Sequence, residues 1–272
     1  MTTAVLPSSA GRPHAGRVAW VTGSTSGIGW AIARQLASEG AAIALHGREA
    51  ASARTEAQLA ELHALGVAAR YYALDLAEGE AIAPLAARIE AELGAVDILV
   101  NNAGMQHVES VLQFPPAKWE AMLAVNLSAP FRTIQACTPA MLERGWGRII
   151  NMASVSGLVG VARKPAYVAS KHGLLGLTKS VALELATTPV TCNAICPGWV
   201  LTPLVQAQID ALASREGLDP TAARAKLLGA KQPSQAFVTV EQVASLASYL
   251  ASDHAAQVRG AQWNMDGGFT AA

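Results

Sequence analysis

The chain has 272 residues and 51% hydrophobic content, which is enough for one large domain or two small ones with a substantial core. Its 20 basic residues balance 20 acidic ones, which argues against binding to nucleic acid or to a charged membrane surface. No apolar run reaches the roughly 18 residues that span a bilayer, and no secretory signal is recognisable. We therefore expect a cytoplasmic protein.

Residues 1–16 are small and polar and contain proline, which predicts a flexible extension before a single domain over residues 17–272. Cys137, Cys192 and Cys196 are an odd number in apolar surroundings, which indicates reduced thiols rather than disulfides. The six histidines have no metal-ligand spacing, so we predict no metal site.

A strand predicted at residues 17–21 is followed by a glycine-rich run at residues 22–29 and by helical periodicity over residues 30–39. In that context, backbone N–H groups and a helix N-terminus can bind a pyrophosphate. The glycine spacing is G-x-x-x-G-x-G rather than the commoner G-x-G-x-x-G. Between a strand and a helix, the run favours a dinucleotide site formed by Gly23, Thr25, Ser26, Gly27, Ile28 and Gly29.

The alternation of strand and helix continues along the chain. We predict further strands at residues 41–46, 67–74, 96–101, 148–151, 190–195 and 261–265. We predict helices at residues 50–65, 78–93 and 117–143, the last bent at Pro130, and another that carries Tyr167. This order predicts a single-domain α/β fold of the Rossmann type, a doubly wound parallel sheet with helices on both faces.

Ligands bind at the carboxyl ends of the strands in such a sheet, and these ends carry polar or small residues here. Asp75 and Leu76 follow the third strand. The carboxylate of Asp75 either accepts a hydrogen bond from an adenine amine or caps the next helix. Asn102, Ala103 and Gly104 follow the fourth strand, where small residues let the backbone approach a cofactor ribose.

Asn126 lies in the middle of the helix predicted over residues 117–143. Asparagine is unfavourable there because its side chain competes with the backbone hydrogen bonds. It therefore either opens the helix or holds a water, unless it is simply a solvated surface residue.

Tyr167 and Lys171 are four residues apart on a predicted helix and therefore share one face. An ammonium about 4 Å from a phenol, at an effective dielectric near 20, contributes roughly 4 kcal/mol, enough to lower the pKa of the phenol from about 10 to about 7. General acid–base catalysis is efficient at that value. Ser154, at the end of the preceding strand, could donate to the oxygen of a carbonyl being reduced. The spacing alone also fits a half-buried tyrosine beside a solvated amine.

Taken together, these motifs resemble the short-chain dehydrogenase/reductase family from about Gly16 to the C-terminus. Residues 22–29 are similar to its cofactor turn, and residues 101–104 to its N-N-A-G segment. The catalytic four of the family are matched by Asn126, Ser154, Tyr167 and Lys171. Its nicotinamide-side segment is matched by Pro197, Gly198, Val200 and Thr202.

The resemblance implies hydride transfer between nicotinamide C4 and a carbinol carbon. It implies that Tyr167 exchanges the hydroxyl proton, while Lys171 lowers the pKa of Tyr167 and contacts the nicotinamide ribose. Ser154 would orient the substrate oxygen, and Asn126 would help to hold a water that relays protons. The family also implies a homotetramer.

Residues 101–107, 196–205 and 231–239 resemble a subgroup of this family, the bacterial D-3-hydroxybutyrate dehydrogenases. The last stretch begins within a small helical substrate lid that we expect over about residues 203–236. In the subgroup, a small carboxylate is held by polar residues matching Gln106, Lys164 and Gln208, with Trp199 in the pocket wall. The resemblance implies an oxidoreductase of a small 3-hydroxy acid, (R)-3-hydroxybutyrate.

Two positions depart from the subgroup. Ser156 stands where a histidine is usual, and Phe269 where a pocket tryptophan is usual. Serine donates a hydrogen bond but carries no charge, so the affinity for a carboxylate or the accepted substrate size is expected to differ. Reduction of other ketones or 3-oxoacyl groups therefore stays open. So does a silent nucleotide-binding regulator, although the intact catalytic set argues against it.

The cofactor prediction depends on the end of the second strand. No acid follows this strand directly, and Arg48 lies there instead. Its guanidinium either binds the 2′-phosphate of NADP or stacks on adenine. The 3-hydroxybutyrate subgroup uses NAD without an acid here, so we predict NAD, with NADP as the alternative.

Overall fold

The computed structural model describes residues 11–229 and 231–271, which form a seven-stranded sheet with helices on both faces. The strands are β1 (Val18–Val21), β2 (Ala42–Gly47), β3 (Ala69–Ala73), β4 (Ile98–Asn101), β5 (Gly147–Met152), β6 (Val190–Pro197) and β7 (Gln262–Met265). The helices are α1 (Gly27–Ser38), α2 (Ala53–Ala64), α3 (Ile82–Leu93), α4 (Pro116–Leu123), α5 (Ala129–Glu143), α6 (Pro165–Glu184), α7 (Pro203–Glu216), α8 (Pro220–Gly229) and α9 (Val240–Ala251).

The strands pair in the order β3-β2-β1-β4-β5-β6-β7, and every pair is parallel. The order reverses between β1 and β4, where Trp20 lies opposite Leu99. The loops that leave these two strands therefore diverge to opposite faces of the sheet and leave a crevice between them. The predicted fold class is confirmed.

The two faces of the sheet build two separate cores. Ala19 and Val21 of β1 pack into a cluster with α1 and α9, whereas Trp20 points to the other face, into a cluster with α3 and α5. Each of these three side chains is completely buried. Burial on both faces explains why the central strands β1 and β4 are nearly continuous apolar runs rather than alternating ones.

The predicted helix over residues 117–143 is interrupted. Residues Ala124–Ser128 form a π-helical turn between α4 and α5, and Asn126 lies at its centre. Of the alternatives left open for Asn126, the structure agrees with a local opening of the helix and not with a solvated surface residue, because Asn126 is buried. The expected bend at Pro130 was misplaced by a few residues, since Pro130 lies in the first turn of α5, where a missing N–H removes no helical hydrogen bond.

Helix α9 was not predicted from the sequence, although its start carries a recognisable signal. Thr239 Oγ1 accepts from the Gln242 backbone N–H at 3.1 Å, and Gln242 Oε1 accepts from the Thr239 backbone N–H at 2.9 Å. This reciprocal capping box is visible in the sequence as a threonine with a glutamine three residues later. The helix packs against α1 and completes one of the two cores.

Part of the predicted N-terminal extension packs on the domain. Residues 1–10 lie outside the described residues. Beyond them, Arg12 donates to the Leu65 carbonyl at 2.9 Å, and the buried His14 donates its backbone N–H to the Glu39 carbonyl at 2.9 Å. The packed chain therefore begins before Arg17, the first residue assigned to the domain from the sequence.

Helices α7 and α8 follow β6 and have a small core of their own. Val205 and Ile209 of α7 pack against Ala223 of α8, and Trp199 packs against this cluster. A helical pair that packs on itself, apart from the two main cores, is the arrangement expected of the predicted lid over residues 203–236.

A chain of buried hydrogen bonds crosses the sheet below the crevice. Thr133 donates to Asn101 Oδ1 at 2.6 Å, and Asn101 Nδ2 donates to Asn151 Oδ1 at 2.9 Å. Asn151 Nδ2 then donates to Thr178 Oγ1 at 2.9 Å. All four residues are buried, so α5, β4, β5 and α6 are tied together where water cannot compete.

Asn151→Ala is expected to lower the free energy of unfolding by about 1–3 kcal/mol, because it leaves the amide N–H of Asn101 without an acceptor in the interior. Thr178 Oγ1 loses a donor but still donates to the Leu174 carbonyl. Ser180→Ala, at an exposed position on α6, serves as the matched control and is expected to change stability by less than about 0.5 kcal/mol. Urea unfolding followed by circular dichroism compares the two. Equal unfolding midpoints would show that the buried chain adds no stability.

Candidate active site

One cavity of about 1040 Å³ runs along the carboxyl ends of the strands. It is lined by every predicted cofactor residue: Gly23, Thr25, Ser26, Gly27, Ile28, Gly29, Arg48, Asp75, Leu76, Asn102, Ala103, Gly104, Tyr167, Lys171, Pro197, Gly198, Val200 and Thr202. It is also lined by the predicted substrate residues Gln106, Ser154, Ser156, Lys164, Trp199 and Gln208. Asn126 is the one predicted site residue that does not line it.

The glycine-rich turn is clamped to the loop that follows β4. Thr22 Oγ1 accepts from the backbone N–H groups of Asn102 and Ala103 at 2.9 and 3.0 Å. In return, Asn102 Nδ2 donates to the carbonyls of Thr22 and Gly23 at 2.9 and 3.0 Å. A Cβ on Gly29 would lie 2.4 Å from Asn102 Nδ2, so the clamp requires glycine there. The side chain of Asn102 thus holds the turn in place.

The start of α1 is suited to an anion. Ser26 is the N-cap residue, and its side chain makes no capping hydrogen bond. The first backbone N–H groups of a helix have no partner within the helix, and the helix dipole favours negative charge at that end. Because Gly27 and Gly29 carry no side chains, a pyrophosphate can come close to these groups. The residues present therefore fit a dinucleotide.

His46 supports the same turn and was not predicted as a site residue. Its Nδ1 accepts from the Gly23 backbone N–H at 3.1 Å. Burial lowers the pKa of His46 to about 4, so the imidazole is neutral at pH 7 and Nδ1 can act as an acceptor. The position of His46 at the end of β2, beside the glycine run, was the only signal for it in the sequence.

The charged residues that follow β2 and β3 line the part of the cavity where the sequence predicts the adenosine, called the adenosine end below. Arg48 donates through Nε and one terminal nitrogen to Glu49 Oε1, at 2.9 and 2.8 Å. Asp75 Oδ1 accepts from the Ala77 backbone N–H at 2.9 Å while the residue lines the cavity. Both interpretations of Asp75 are therefore compatible, because one oxygen is used in the turn and the carboxylate has a second.

Ser154, Tyr167 and Lys171 meet at the middle of the cavity. Helix α6 presents Tyr167 and Lys171 on one face, with Lys171 Nζ 5.7 Å from the centre of the phenol ring. Ser154 lies just after the end of β5, and its hydroxyl is beside the phenol. Lys171 is almost fully buried and donates to the Met152 carbonyl at 2.7 Å. The arrangement can pass a proton to or from an oxygen that enters between Ser154 and Tyr167.

The expectation that Lys171 lowers the pKa of Tyr167 is not borne out by the structure. Burial raises the pKa of the Tyr167 phenol, and the Ser154 hydroxyl opposes this only in part. Burial also lowers the pKa of Lys171 to about 8. The expectation from the sequence placed the ammonium about 4 Å away in a well-screened setting and omitted the cost of burying a phenolate.

Asn126 lies behind the cavity wall and sets its shape. Its Oδ1 accepts from the Met105 backbone N–H at 2.9 Å, and its Nδ2 donates to the Met105 carbonyl at 2.9 Å and to Ser170 Oγ at 3.1 Å. A Cβ on Gly104 would lie 3.4 Å from Asn126 Oδ1 and 3.7 Å from Lys171 Nζ. Asn126 thus joins the loop after β4 to helix α6 next to Lys171.

The part of the cavity predicted to hold the substrate, called the substrate end below, brings together residues from three distant segments. Lys164 Nζ donates to Gln106 Oε1 at 3.2 Å and lies 5.4 Å from the centre of the Trp199 ring. Gln208 of α7 lines the same region, and its buried Nε2 has no hydrogen-bond partner among the described residues. Burial, followed by the charge of Lys231, lowers the pKa of Lys164.

Two departures noted in the sequence, Ser156 and Phe269, also line the cavity. The Ser156 backbone N–H donates to Ser154 Oγ at 3.1 Å. Sequence reasoning missed three charged residues that the fold adds to the lining, Glu49, Lys118 and Lys231. These have no motif of their own, and only the tertiary structure brings them to the cavity.

Over residues 11–229 and 231–271, no three His, Cys, Asp or Glu side chains come together as a candidate metal site. Within the same ranges, every helix is too short or too polar to cross a membrane.

Comparisons with known proteins agree with this geometry. A family model described as short chain dehydrogenase matches residues 17–213. The D-beta-hydroxybutyrate dehydrogenase of Cupriavidus necator is 49% identical over 256 residues, which cover 94% of this chain and 98% of that protein. The Rhizobium meliloti protein of the same name is 48% identical over 94% of this chain and 99% of that protein.

Solved structures show the same fold. L-Sorbose reductase from Gluconobacter frateurii, complexed with NADPH and L-sorbose, superposes with a TM-score of 0.91 at 30% identity, covering 96% of this chain and 99% of that chain. A putative gluconate 5-dehydrogenase from Beutenbergia cavernae with bound NADP has a TM-score of 0.82 at 35% identity, covering 95% and 98%. With the glycine turn, the Ser154, Tyr167 and Lys171 cluster and the matching family model together, this chain is an oxidoreductase that belongs to the short-chain dehydrogenase family.

Proposed function

We propose that the enzyme interconverts (R)-3-hydroxybutyrate and acetoacetate with NAD as the cofactor. The observation that carries this proposal is the convergence of Lys164, Gln106 and Gln208 at one end of the cavity that contains Tyr167. Two relatives of nearly half-identical sequence are named for the same activity. A cation and two amides at a fixed place beside a proton-transfer group suit a short hydroxy acid.

The proposed carboxylate site follows from the cost of burying charge. Lys164 is partly buried, and within residues 11–229 and 231–271 its Nζ makes one side-chain hydrogen bond, to the neutral amide oxygen of Gln106. A buried ammonium is stabilised when a carboxylate binds it, and an amide donor such as Gln208 Nε2 satisfies the remaining lone pairs. Helix α7 brings Gln208 to the cavity, so we propose that α7 and α8 form a lid that completes this site.

Proton transfer in this proposal depends on residues of the chain itself. Ser154 donates to the substrate oxygen and orients it, while Tyr167 exchanges the proton of the hydroxyl group. Lys171, whose pKa of about 8 leaves it largely charged at pH 7, favours the phenolate against the burial that raises the pKa of Tyr167. Asn126 holds the loop that carries Met105 and so fixes the position of α6 and its two reactive side chains.

The cofactor would lie along the glycine turn and the loop after β4. The backbone N–H groups at the start of α1 would hold its phosphates, and Lys171 would contact the ribose nearest the reacting carbon. When bound, the nicotinamide supplies the site that accepts or returns the two electrons of the reaction. The neutral His46 fixes the turn by accepting from Gly23.

The preference for NAD follows from the state of Arg48. Its guanidinium is held by Glu49 through two hydrogen bonds, so the pair carries no net charge. A 2′-phosphate would meet the Glu49 carboxylate as well as the guanidinium. A 2′-hydroxyl carries no charge and is not repelled, which supports NAD as the cofactor.

We also propose a homotetramer in the cytoplasm. The resemblance to the family supports this assembly. Large apolar side chains exposed on the chain, Val111, Leu112 and Leu183 among them, give it surfaces to bury.

Tyr167→Phe is expected to lower kcat by at least about 100-fold while NADH affinity stays within about threefold, because the phenol oxygen moves the proton and does not hold the dinucleotide. Steady-state kinetics and NADH fluorescence titration measure the two quantities. Tyr249→Phe, on α9, is the control and should behave as wild type. If Tyr167→Phe kept more than about a tenth of kcat, the assigned role would be wrong.

For the cofactor, we expect kcat/KM with NAD to exceed that with NADP by at least about tenfold. Glu49→Gln should raise kcat/KM with NADP by roughly three- to tenfold, since it frees the guanidinium for a 2′-phosphate, and Arg48→Ala should abolish this gain. Glu56→Gln, an exposed substitution on α2, is the control. A wild-type preference for NADP that disappears in Arg48→Ala contradicts the proposal.

Lys164→Ala is expected to lower kcat/KM for 3-hydroxybutyrate by about ten- to a few hundred-fold, because a charge-assisted hydrogen bond contributes about 1.5–3 kcal/mol. Oxidation of 2-butanol, which has no carboxylate, should change much less. Arg163→Ala alters the adjacent exposed cation and serves as the control. Equal losses on both substrates would remove the physical basis of the 3-hydroxy acid assignment.

A further inference from the structure

Lys231 brings a second ammonium to the substrate end of the cavity. It lies just beyond helix α8 and lines the cavity together with Lys164, Trp199 and Gln208. Unlike Lys164, it is exposed to solvent, so it lies at the cavity mouth. Its position was not expected from the sequence, because Lys164 and Lys231 are far apart along the chain.

The backbone at Lys231 is fixed to the pocket wall by its neighbour. The backbone N–H groups of Lys231 and Gln232 both donate to the Leu228 carbonyl, at 2.9 and 3.0 Å. The fully buried Gln232 side chain accepts from the Trp199 backbone N–H at 2.9 Å and donates to the Ala236 carbonyl. Gln232 therefore ties the backbone next to Lys231 to the pocket wall at Trp199, so Lys231 does not extend from a free loop.

The charges around the cavity are unevenly distributed. Its titratable lining residues are His46, Arg48, Glu49, Asp75, Lys118, Lys164, Tyr167, Lys171 and Lys231. The two acids lie at the adenosine end, where Glu49 pairs with Arg48 and Asp75 accepts from Ala77. Among the described lining residues, the substrate end has cations and no carboxylate.

The acid that pairs with the residue next to Lys164 does not neutralise it. Glu109 accepts from the Ser110 backbone N–H at 2.7 Å and pairs with Arg163 at 3.3 Å. Lys164 and Lys231 thus repel one another with no counter-ion from the described lining, and this repulsion adds to burial in lowering the pKa of Lys164. An anion that binds between the two lysines removes the repulsion.

We propose that Lys231 is a specificity residue that attracts and retains the substrate carboxylate as the outer member of a lysine pair with Lys164, held in place by Gln232. This rests on the proposed function, of which it names a further determinant. Lys164 hydrogen-bonds the carboxylate inside the cavity, and Lys231 extends the positive field to the mouth. Because Lys231 is exposed at the mouth of the cavity, it acts on substrate binding and not on the chemical step.

Lys231→Gln should raise KM for 3-hydroxybutyrate by about three- to tenfold at low ionic strength, with kcat unchanged. The increase should shrink at about 0.5 M salt, because screening already weakens the field of an exposed cation. Lys226→Gln removes an exposed lysine of α8 that pairs with Glu216, and this control should leave KM unchanged. An unchanged KM in Lys231→Gln at low salt overturns the proposal.

A pH profile separates this role from a structural one. The charge of Lys231 lowers the pKa of Lys164, so its removal should move the alkaline limb of acetate affinity, which does not require the proton-transfer step, to higher pH. Lys231→Arg keeps the charge and should restore the wild-type limb. If Lys231→Gln leaves the limb in place, or Lys231→Arg fails to restore it, the lysine pair does not exist.

Calorimetric titration of the enzyme–NAD complex with acetate tests the pair independently of turnover. Lys231→Gln should weaken acetate binding by about the same factor as it raises KM, and Gln232→Leu should weaken it in part. If the wild-type enzyme does not oxidise 3-hydroxybutyrate, but the Lys231→Gln variant binds acetate more weakly than wild type, the proposed function fails and the lysine pair stands. Equal acetate affinity in wild type and Lys231→Gln refutes the pair.

Discussion

The clamp between Thr22 and Asn102 is the constraint on which the cavity depends. The loops after β1 and β4 must diverge, because the crossovers lead to opposite faces of the sheet. Four hydrogen bonds between these two residues and their neighbours nonetheless hold the loops together at their origin. The crevice therefore opens above a fixed base, and the glycine turn keeps the shape that a pyrophosphate needs.

That base explains the choice of small residues near it. A Cβ on Gly23 would lie 2.9 Å from the Ala103 Cα, and one on Gly29 would lie 2.5 Å from the Gly23 carbonyl. Glycine at these positions is thus needed first for the protein to pack on itself. Access of a ligand to the backbone N–H groups follows from the same lack of side chains.

Local motifs were predictable from the sequence because their geometry is set over a few residues. Tyr167 and Lys171 share a helix face at any position in a fold, and Asn126 signalled a break by its own chemistry. The pKa of Tyr167 could not be obtained in the same way, because it depends on burial by segments distant in sequence. Lys231 carries no local pattern, and its place beside Lys164 is set by the packing of α7 and α8.

Helix α9 was missed for a different reason than Lys231, because the signals that predict the helix are local in the sequence. The capping box at Thr239 and Gln242 marks the start of a helix. The residues that α9 buries recur at helical spacing, and they are Val243, Ala244, Ala247, Leu250 and Ala251. Both signals are present in the sequence alone, so this helix was predictable in a way that the place of Lys231 was not.

The π-helical turn at Ala124–Ser128 has a consequence for how the protein can change over time. Such a turn carries one residue more than a regular helix, and that insertion directs Asn126 toward Met105 and Ser170. Loss of a single codon from this segment would let α4 and α5 continue as one regular helix, with better backbone bonding and with Asn126 turned aside. A change of length in this turn would therefore break the link between the loop after β4 and helix α6 even where no residue that lines the cavity is altered.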